Sequence, residues 1–300
     1  MFLKKIFIFL AVVFLVVDIC LLGFYIQANN NLKMLSDNLM EDTVKYYASA
    51  GVKLDKEDIV RYVPDNKIYV FASDNGTIGS GVAQSFTKAL LSKNAKVNVV
   101  ETPDGTSYTV SENGKNVGSL RLYTEGFGFE YVSGSFNADV IRLPDSAVYN
   151  GKNDLDRGEK KSIDAFVSAL SPSLKNNYEI TGSMDIDNLL CVSVVQLVDN
   201  GCPVDNMYIS IALDGDTVVC AKGNIILSVI EKKYSEPLYD GINALNRVDV
   251  SDVKEFISEK IVYTYRYSGR DVYYLIPQWK IEYVDNAGQR KTQYVDAIKS

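Results

Sequence analysis

The chain has 300 residues, of which 47% are hydrophobic and 11% aromatic, and its formal net charge is −7. This composition can supply real cores, and the length favours two compact domains over one. The negative charge disfavours nucleic acid or an anionic membrane surface as the main partner. The chain contains no histidine, which removes the commonest general base, the usual partner of a nucleophile and the usual zinc ligand.

The first element is the apolar run Ile6–Ile26, which carries one charge. A helix of this length spans roughly 31 Å, close to the hydrocarbon core of a bilayer. Lys4 and Lys5 precede it, so the positive-inside rule places the N-terminus in the cytoplasm. A cleaved signal peptide is the alternative, but the run is long for one and lacks a small-x-small cleavage pattern at its end. The sequence therefore predicts a single-pass protein of the cell membrane with extracellular C-terminal domains.

Asp18 lies inside this run. A carboxyl group at such a depth costs about 2.5 to 3.5 kcal/mol on insertion scales unless it is protonated or finds a donor. Two interpretations follow. Asp18 is either a tolerated polar residue, or a partner-binding residue that pairs with a second membrane helix.

Beyond the anchor, the spacing of Leu32, Leu35, Leu39, Val44 and Tyr47 predicts a juxtamembrane helix that Gly51 ends. A strand at 67–72 and a helix at 81–93 follow. The chain then predicts four short strands, the middle two joined by an Asn-Gly hairpin turn, at 96–101, 106–112, 116–123 and 127–132.

A stretch rich in Ser, Asn, Gly and Asp places a domain boundary near residue 140. Apolar spacing then predicts a helix over Gly158–Leu170, followed by strands at 188–198, 204–213 and 217–222. The pattern restarts with Ser235 as an N-cap and a short helix, followed by strands at 261–267, 271–283 and 291–298. In this last unit the alternating Trp279, Ile281 and Tyr283 are predicted to face a core.

The predicted fold class is α+β: a single N-terminal transmembrane helix followed by two extracytoplasmic domains built from helix plus antiparallel β-meander units of the PepSY-like kind. Residues 1–28 form the cytoplasmic tip and anchor. Residues 29–140 form the juxtamembrane helix and first α+β domain, and residues 141–300 form the second.

Cys191, Cys202 and Cys220 follow the anchor, and their odd number implies no complete disulfide framework. If Cys191 and Cys220 lie on strands that flank a common middle strand, their Cα atoms are about 9.5 Å apart, too far for a disulfide. Free and mostly buried thiols are expected.

Three stretches resemble the YycH and YycI membrane proteins of Firmicutes. They are Asp18-Ile19-Cys20-Leu21; the hairpin Val194–Val218, with Gln196, Gly201-Cys202-Pro203 and Asp214-Gly215; and the ending Tyr274–Ile298, with Pro277-x-Trp279 and Tyr294-Val295-Asp296-Ala297. The family usually has asparagine where Asp18 stands. The resemblance implies an accessory protein, without catalysis, that modulates the sensor histidine kinase of a two-component system controlling the cell wall.

The sequence leaves three functions to compare. The first is this regulatory protein, whose partners would be a sensor histidine kinase, a related accessory membrane protein and the lipid bilayer. The second is an extracytoplasmic ligand-binding sensor for a wall fragment or peptide, which an exposed aromatic cleft would favour, whereas a flat apolar patch would favour the first. The third is a hydrolase with two facing carboxylates, which no spacing suggests. No catalytic, cofactor-binding or metal-binding residue is predicted.

Overall fold

A computed structural model describes the chain in two compact units. The described residues are Val17, Leu21, 34–62, 68–72, 96–123, 127–134, 136, 155–171, 174–198, 201–226, 231–234, 238–269 and 272–298. Unit 1 comprises Met1–Asp65, Pro237–Lys260 and Trp279–Ser300, and unit 2 comprises Asn66–Glu236 and Ile261–Gln278. The predicted helix at 81–93 and the predicted boundary near residue 140 lie outside the described residues.

The described α-helices are α1 (Asp37–Ser49), α2 (Arg157–Leu170) and α3 (Gly241–Leu245). The described strands are β1 (Ile68–Ala72), β2 (Lys96–Thr102), β3 (Gly105–Glu112), β4 (Lys115–Tyr123), β5 (Gly128–Ser133), β6 (Tyr178–Ile186), β7 (Leu189–Leu197), β8 (Pro203–Asp214), β9 (Thr217–Asn224), β10 (Glu231–Tyr234), β11 (Val253–Gly269), β12 (Val272–Asp285) and β13 (Arg290–Asp296).

The predicted transmembrane topology is contradicted. Within the part of the chain that the structure describes, no helix has the length and apolar character needed to cross a bilayer. The predicted span Ile6–Ile26 lies outside the described residues apart from Val17 and Leu21. The single-pass location in the cell membrane is therefore withdrawn.

Unit 2 contains a large mixed sheet. Its strand order is β10-β1-β12-β11-β8-β9-β5-β4-β3-β2, and β7 and β6 continue from β8. The pairing is antiparallel at most steps, but β11 lies parallel to β8, with Tyr263 opposite Val204. Asn113 and Gly114 both have positive φ angles, of 51° and 78°, which confirms the predicted turn between β3 and β4.

This sheet shows that the predicted fold class is wrong. The meander β2–β5 and the meander β6–β9 do not form separate helix-plus-meander units, because β5 pairs with β9 in register, with Tyr131 opposite Ala221. A short meander leaves an unpaired strand at each edge, and this pairing removes one edge from each of the two. The strand β6 was not predicted.

Helix α2 covers the centre of this sheet. Asp156 and Glu159 form a capping box, in which Asp156 Oδ1 accepts from the Glu159 N–H at 2.8 Å and Glu159 Oε2 accepts from the Asp156 N–H at 2.8 Å. The predicted face is confirmed, since Ile163, Phe166 and Leu170 are fully buried. They pack against sheet residues that include Val192, Val194, Ile209 and Ile211. Each such side chain contributes roughly 1.5 to 3 kcal/mol by its burial.

Gln196, one of the residues that carried the family resemblance, has a structural role. Its buried amide Oε1 accepts from the Ile226 N–H at 3.0 Å, and its Nε2 donates to the Ile226 carbonyl at 3.3 Å. These two bonds satisfy the backbone N–H and C=O groups of Ile226, in the segment that leaves the sheet just after β9. A buried amide with both groups paired fixes the position of this segment.

Unit 1 contains α1, α3, β13, the first part of β11 and the last part of β12. Ser36 caps α1, and Gly51 ends it with a φ of +80°, as predicted. The predicted face of α1 is partly wrong. Its buried residues are Met40, Thr43 and Tyr47, whereas Leu39 is 48% exposed. The predicted cap Ser235 lies outside the described residues, and Asp240 caps α3 instead.

The predicted core position of Trp279 and Ile281 is confirmed, since both are fully buried. The Trp279 indole Nε1 donates to the Tyr239 carbonyl at 3.1 Å, so its polar atom is satisfied. Tyr283 is half-buried, and its ring lies 6.4 Å from that of Phe256. Phe256 in turn contacts Tyr47 of α1, with ring centroids 5.4 Å apart. Aromatic contacts therefore connect β12, β11 and α1.

Replacing Trp279 by alanine removes the largest fully buried side chain. We expect the free energy of unfolding to fall by about 3 to 5 kcal/mol. Tyr294→Ala is the matched control, because Tyr294 is 41% exposed in the neighbouring strand. Urea titration of the two variants measures the difference, and a Trp279→Ala protein as stable as Tyr294→Ala would contradict the core assignment.

Candidate protein-binding edge

Strand β2 has an unusual exposure for an apolar strand. Its sequence is KVNVVET, and all seven residues are exposed. Val97, Val99 and Val100 are 38%, 51% and 48% exposed. On one side β2 pairs with β3, and none of the described strands lies on its other side. We call this open side the β2 edge; an edge strand with exposed apolar residues is a surface for association with another chain.

The turn between β2 and β3 determines which backbone groups face the β2 edge. Thr102 and Gly105 flank a two-residue turn and form the closing pair of the hairpin. Hydrogen-bonded pairs recur at every second residue of an antiparallel ladder. The N–H and C=O groups of Asn98 and Val100 therefore point towards β3, and those of Val97, Val99 and Glu101 point towards the β2 edge.

An apolar row of cross-strand neighbours runs through the sheet and ends on β2. From β7 it passes through Val192, Ile211, Ala221, Tyr131, Leu120 and Tyr108 to Val99. Every member is at most 5% exposed except Val99, at 51%. Directly opposite side chains share one face of a sheet. The apolar face of the core therefore continues as far as Val99 on the edge strand.

The opposite face is polar and accessible at β3, β4 and β5, whereas at β7, β8 and β9 it also carries the buried apolar cluster of Cys191, Ala212 and Cys220. Ser107, Arg121, Glu130, Lys222, Ser210 and Ser193 are consecutive cross-strand neighbours from β3 to β7. The Arg121 guanidinium pairs with Asp104 at 2.5 Å and lies 4.9 Å from the centre of the Tyr123 ring. Acidic and basic groups alternate here, so this face presents no strong charge of one sign.

The other strands with one described neighbour carry features that discourage pairing. In β6 the register shifts between Ile180 and Gly182, next to the exposed Glu179 and Thr181. In β13, Arg290 and Lys291 are exposed, and β10 has only four residues. Bulges, charges and short length are the usual protections of an edge. Between Lys96 and Glu101, β2 has no bulge and no charged residue.

A buried acid lies in unit 1. The Glu259 side chain of β11 is 7% exposed, and its Oε2 accepts from the Val60 N–H at 3.1 Å. Its Oε1 has no hydrogen-bond partner among the described residues. Burial raises the pKa of Glu259 to about 8, and the nearby Asp240 adds to the rise, while the Val60 bond opposes it. Gly241 makes room for this carboxyl, since a Cβ there would lie 2.5 Å from Oε2.

The raised pKa of Glu259 predicts a pH-dependent stability. The folded chain keeps the proton up to about pH 8, whereas the unfolded chain releases it near 4.5. The contribution of the protonated side chain is fully present below pH 4.5 and is lost as the pH rises through 8. We expect the free energy of unfolding to fall by on the order of a few kcal/mol over this range.

Urea titrations from pH 5 to pH 9 measure this loss. Glu259→Gln should flatten it, because the amide keeps an acceptor for Val60 and does not ionise. Glu255→Gln, at a more exposed glutamate of the same strand paired with Lys53, is the control and should leave it unchanged. Equal pH dependence in Glu259→Gln and the parent would contradict the assignment.

The predicted state of the cysteines is confirmed. Cys191, Cys202 and Cys220 are free and buried. Ala212 of β8 lies opposite both Cys191 and Cys220, so a middle strand does separate these two. Burial raises the pKa of each thiol to about 11. Thiolates are therefore scarce at neutral pH, and these side chains are weak nucleophiles.

In a Cys20→Ser chain, the three buried thiols should react slowly with an aromatic disulfide reagent. Unfolding in guanidinium should increase the rate by several orders of magnitude, because it exposes the thiols and lowers their pKa to ordinary values. Absorbance of the released thiolate measures both rates. Rapid reaction of even one thiol in the native chain would contradict the burial described here.

The predicted partner-binding residue Asp18 lies outside the described residues. The structure instead draws attention to β2, which the sequence analysis predicted as a strand but not as a site. The described residues contain no group of three Cys, Asp or Glu side chains placed to hold a metal ion.

Comparison with known proteins identifies a similar fold. No protein-family model matches the chain, and no curated protein matches it at a significant level. An uncharacterized protein from Eubacterium rectale matches with a TM-score of 0.51 at 12% identity, over 81% of this chain and 86% of that one. The C-terminal domain of Bacillus megaterium YpeB is another structural neighbour, with a TM-score of 0.37 at 11% identity, over 75% of this chain and 93% of that one.

These comparisons correct the family assignment made from the sequence. They identify no YycH or YycI protein, and they give no support to a place in a two-component system. At 12% identity, the likeness to the Eubacterium rectale protein concerns the fold alone. The comparisons therefore show that this chain has a fold found in another bacterial protein.

Proposed function

We propose that this protein acts by binding another protein along the β2 edge, without catalysis. The observation that carries the proposal is the exposure of Val97, Val99 and Val100 on a strand whose outer backbone groups point away from the sheet. Strand addition uses both features. Main-chain hydrogen bonds supply affinity, and alternate side chains supply specificity.

One described concave region of unit 2 lacks the lining of a typical ligand pocket. It has a volume of about 500 Å³ and is lined by Arg157, Lys160, Lys161 and Asp164. Ligand pockets are mostly apolar and aromatic, with a few placed polar groups. The lining here is charged and lies on the outward side of α2. The β2 edge, by contrast, exposes three valines, the apolar character expected for a protein contact.

The partner expected from the sequence is a sensor histidine kinase or a related accessory protein, and the crosslinking experiment below identifies the molecule that is bound. The β2 edge supports protein binding as such and does not depend on which protein is bound.

A photo-crosslinking side chain at position 100 of the full chain tests the proposal in the cells that naturally make the protein. Val100 is exposed at the edge and faces the polar side of the sheet, so the substitution should leave the core intact. We expect a protein to be captured, either a second copy or another chain. Val99→Lys should reduce capture several-fold, because a charge then interrupts the apolar row.

The matched control carries the same crosslinker at Met184, which is 44% exposed on β6. Position 184 should capture much less. Equal capture at positions 100 and 184, or capture at 100 that Val99→Lys leaves unchanged, would overturn the proposed role of the β2 edge.

A further inference from the structure

The β2 edge is self-complementary, so that two copies of it can pair with each other. This inference rests on the proposed function and names the partner at the same site: we propose that β2 pairs antiparallel with β2 of a second copy of this chain, about a two-fold axis at Asn98. The outcome is a dimer whose two sheets are joined edge to edge.

Symmetry decides the strand direction. A two-fold axis perpendicular to the sheet makes the two strands antiparallel and keeps each face on its own side. A two-fold axis along the strands would make them parallel and turn one copy over. The exposed Val97 and Val99 of one copy would then lie beside the polar face of the other. Only the antiparallel arrangement gives a closed, self-complementary interface with matched faces.

The backbone limits the register. The groups that point outward belong to Val97, Val99 and Glu101, so new hydrogen bonds must join these positions in the two copies. With Asn98 at the axis, Val97 of one copy lies opposite Val99 of the other, in both directions. Moving the axis to Val99 places each Val97 opposite a Glu101 carboxylate instead.

The apolar rows favour the axis at Asn98. Val97 lies beside the buried Val110, and Val99 lies beside the buried Tyr108. Pairing Val97 with Val99 of the second copy therefore extends the apolar row of each copy onto Val97 and Val110 of the other. The register centred on Val99 pairs Val99 with Val99 of the second copy but places each Val97 opposite a carboxylate, which loses the burial of apolar surface at both Val97 positions.

The polar side chains are compatible with this register. Lys96 lies opposite Val100 of the second copy, so no like charges face each other. Asn98 lies opposite Asn98 of the second copy, and two amides can donate to and accept from each other. Two copies of the same strand can therefore pair in this register without placing like charges opposite each other.

A cysteine at the axis tests the inference directly. Asn98 belongs to a pair without hydrogen bonds in the new ladder, for which the Cα atoms are about 4.5 Å apart. That distance lies within the range that a disulfide needs. Asn98→Cys, in the full chain carrying Cys20→Ser, should form a reducible dimer under mild oxidation.

Two variants in the same Cys20→Ser background serve as controls. In Val100→Cys the two thiols are four positions apart along the strands, roughly 13 Å, so they should not join. Val99→Cys should join well only if the axis lies at Val99. We expect at least tenfold more dimer for Asn98→Cys than for Val100→Cys on a non-reducing gel. The chain with only Cys20→Ser gives the background from the buried native thiols.

The outcomes separate this inference from the proposed function. A monomeric Asn98→Cys chain, or equal dimer from Asn98→Cys and Val100→Cys, overturns the second copy as partner. Dimer from Val99→Cys without dimer from Asn98→Cys overturns the register. If Asn98→Cys stays monomeric while the crosslinker at position 100 captures a different protein, the proposed function stands. If position 100 captures nothing, both fail.

Discussion

The structure of unit 2 depends on one pairing, between β5 and β9. Tyr131 lies opposite Ala221, 90 positions later in the chain, and this contact joins two meanders into one sheet. It also makes a single apolar row from Val192 to Val99, so that the core under α2 and the outermost strand belong to the same face. Without this pairing each meander would have two unpaired edge strands and would bury fewer apolar residues. With it, the apolar row ends at the edge strand β2.

The features found from the sequence are those with local causes. The alternation and turn residues located β3, β4, β8 and β9 within a residue or two, and the 3.6-residue spacing located α2. Local periodicity shows which face of a strand is buried but not which strand lies beside it, so the β5–β9 pairing was missed. β6 was missed because Gly182 and Ser183 interrupt its apolar pattern. The α1 face was misplaced because Met40 and Thr43, rather than Leu39, face unit 1's core.

The candidate site could not be predicted for a related reason. KVNVVET has the composition of a strand with one buried face, and the exposure of its valines follows only from its position at the end of the strand order. The sequence pointed to one unusual residue, Asp18, as a candidate site. The strand proposed here as the binding site has an ordinary sequence and lies at the edge of the sheet. The residues behind the family resemblance, among them Gln196 and Trp279, stabilise the fold.

The claim that the β2 edge binds protein is tested most directly by amide hydrogen exchange, followed residue by residue by NMR. In the dilute free chain, the outward N–H groups of Val97, Val99 and Glu101 should exchange rapidly, while those of Asn98 and Val100, bonded to β3, should be protected. At high chain concentration, or with a captured partner added, the account predicts that the three outward amides become protected too. Outward amides that are already protected in the dilute chain, or that stay unprotected when the partner is bound, would contradict it.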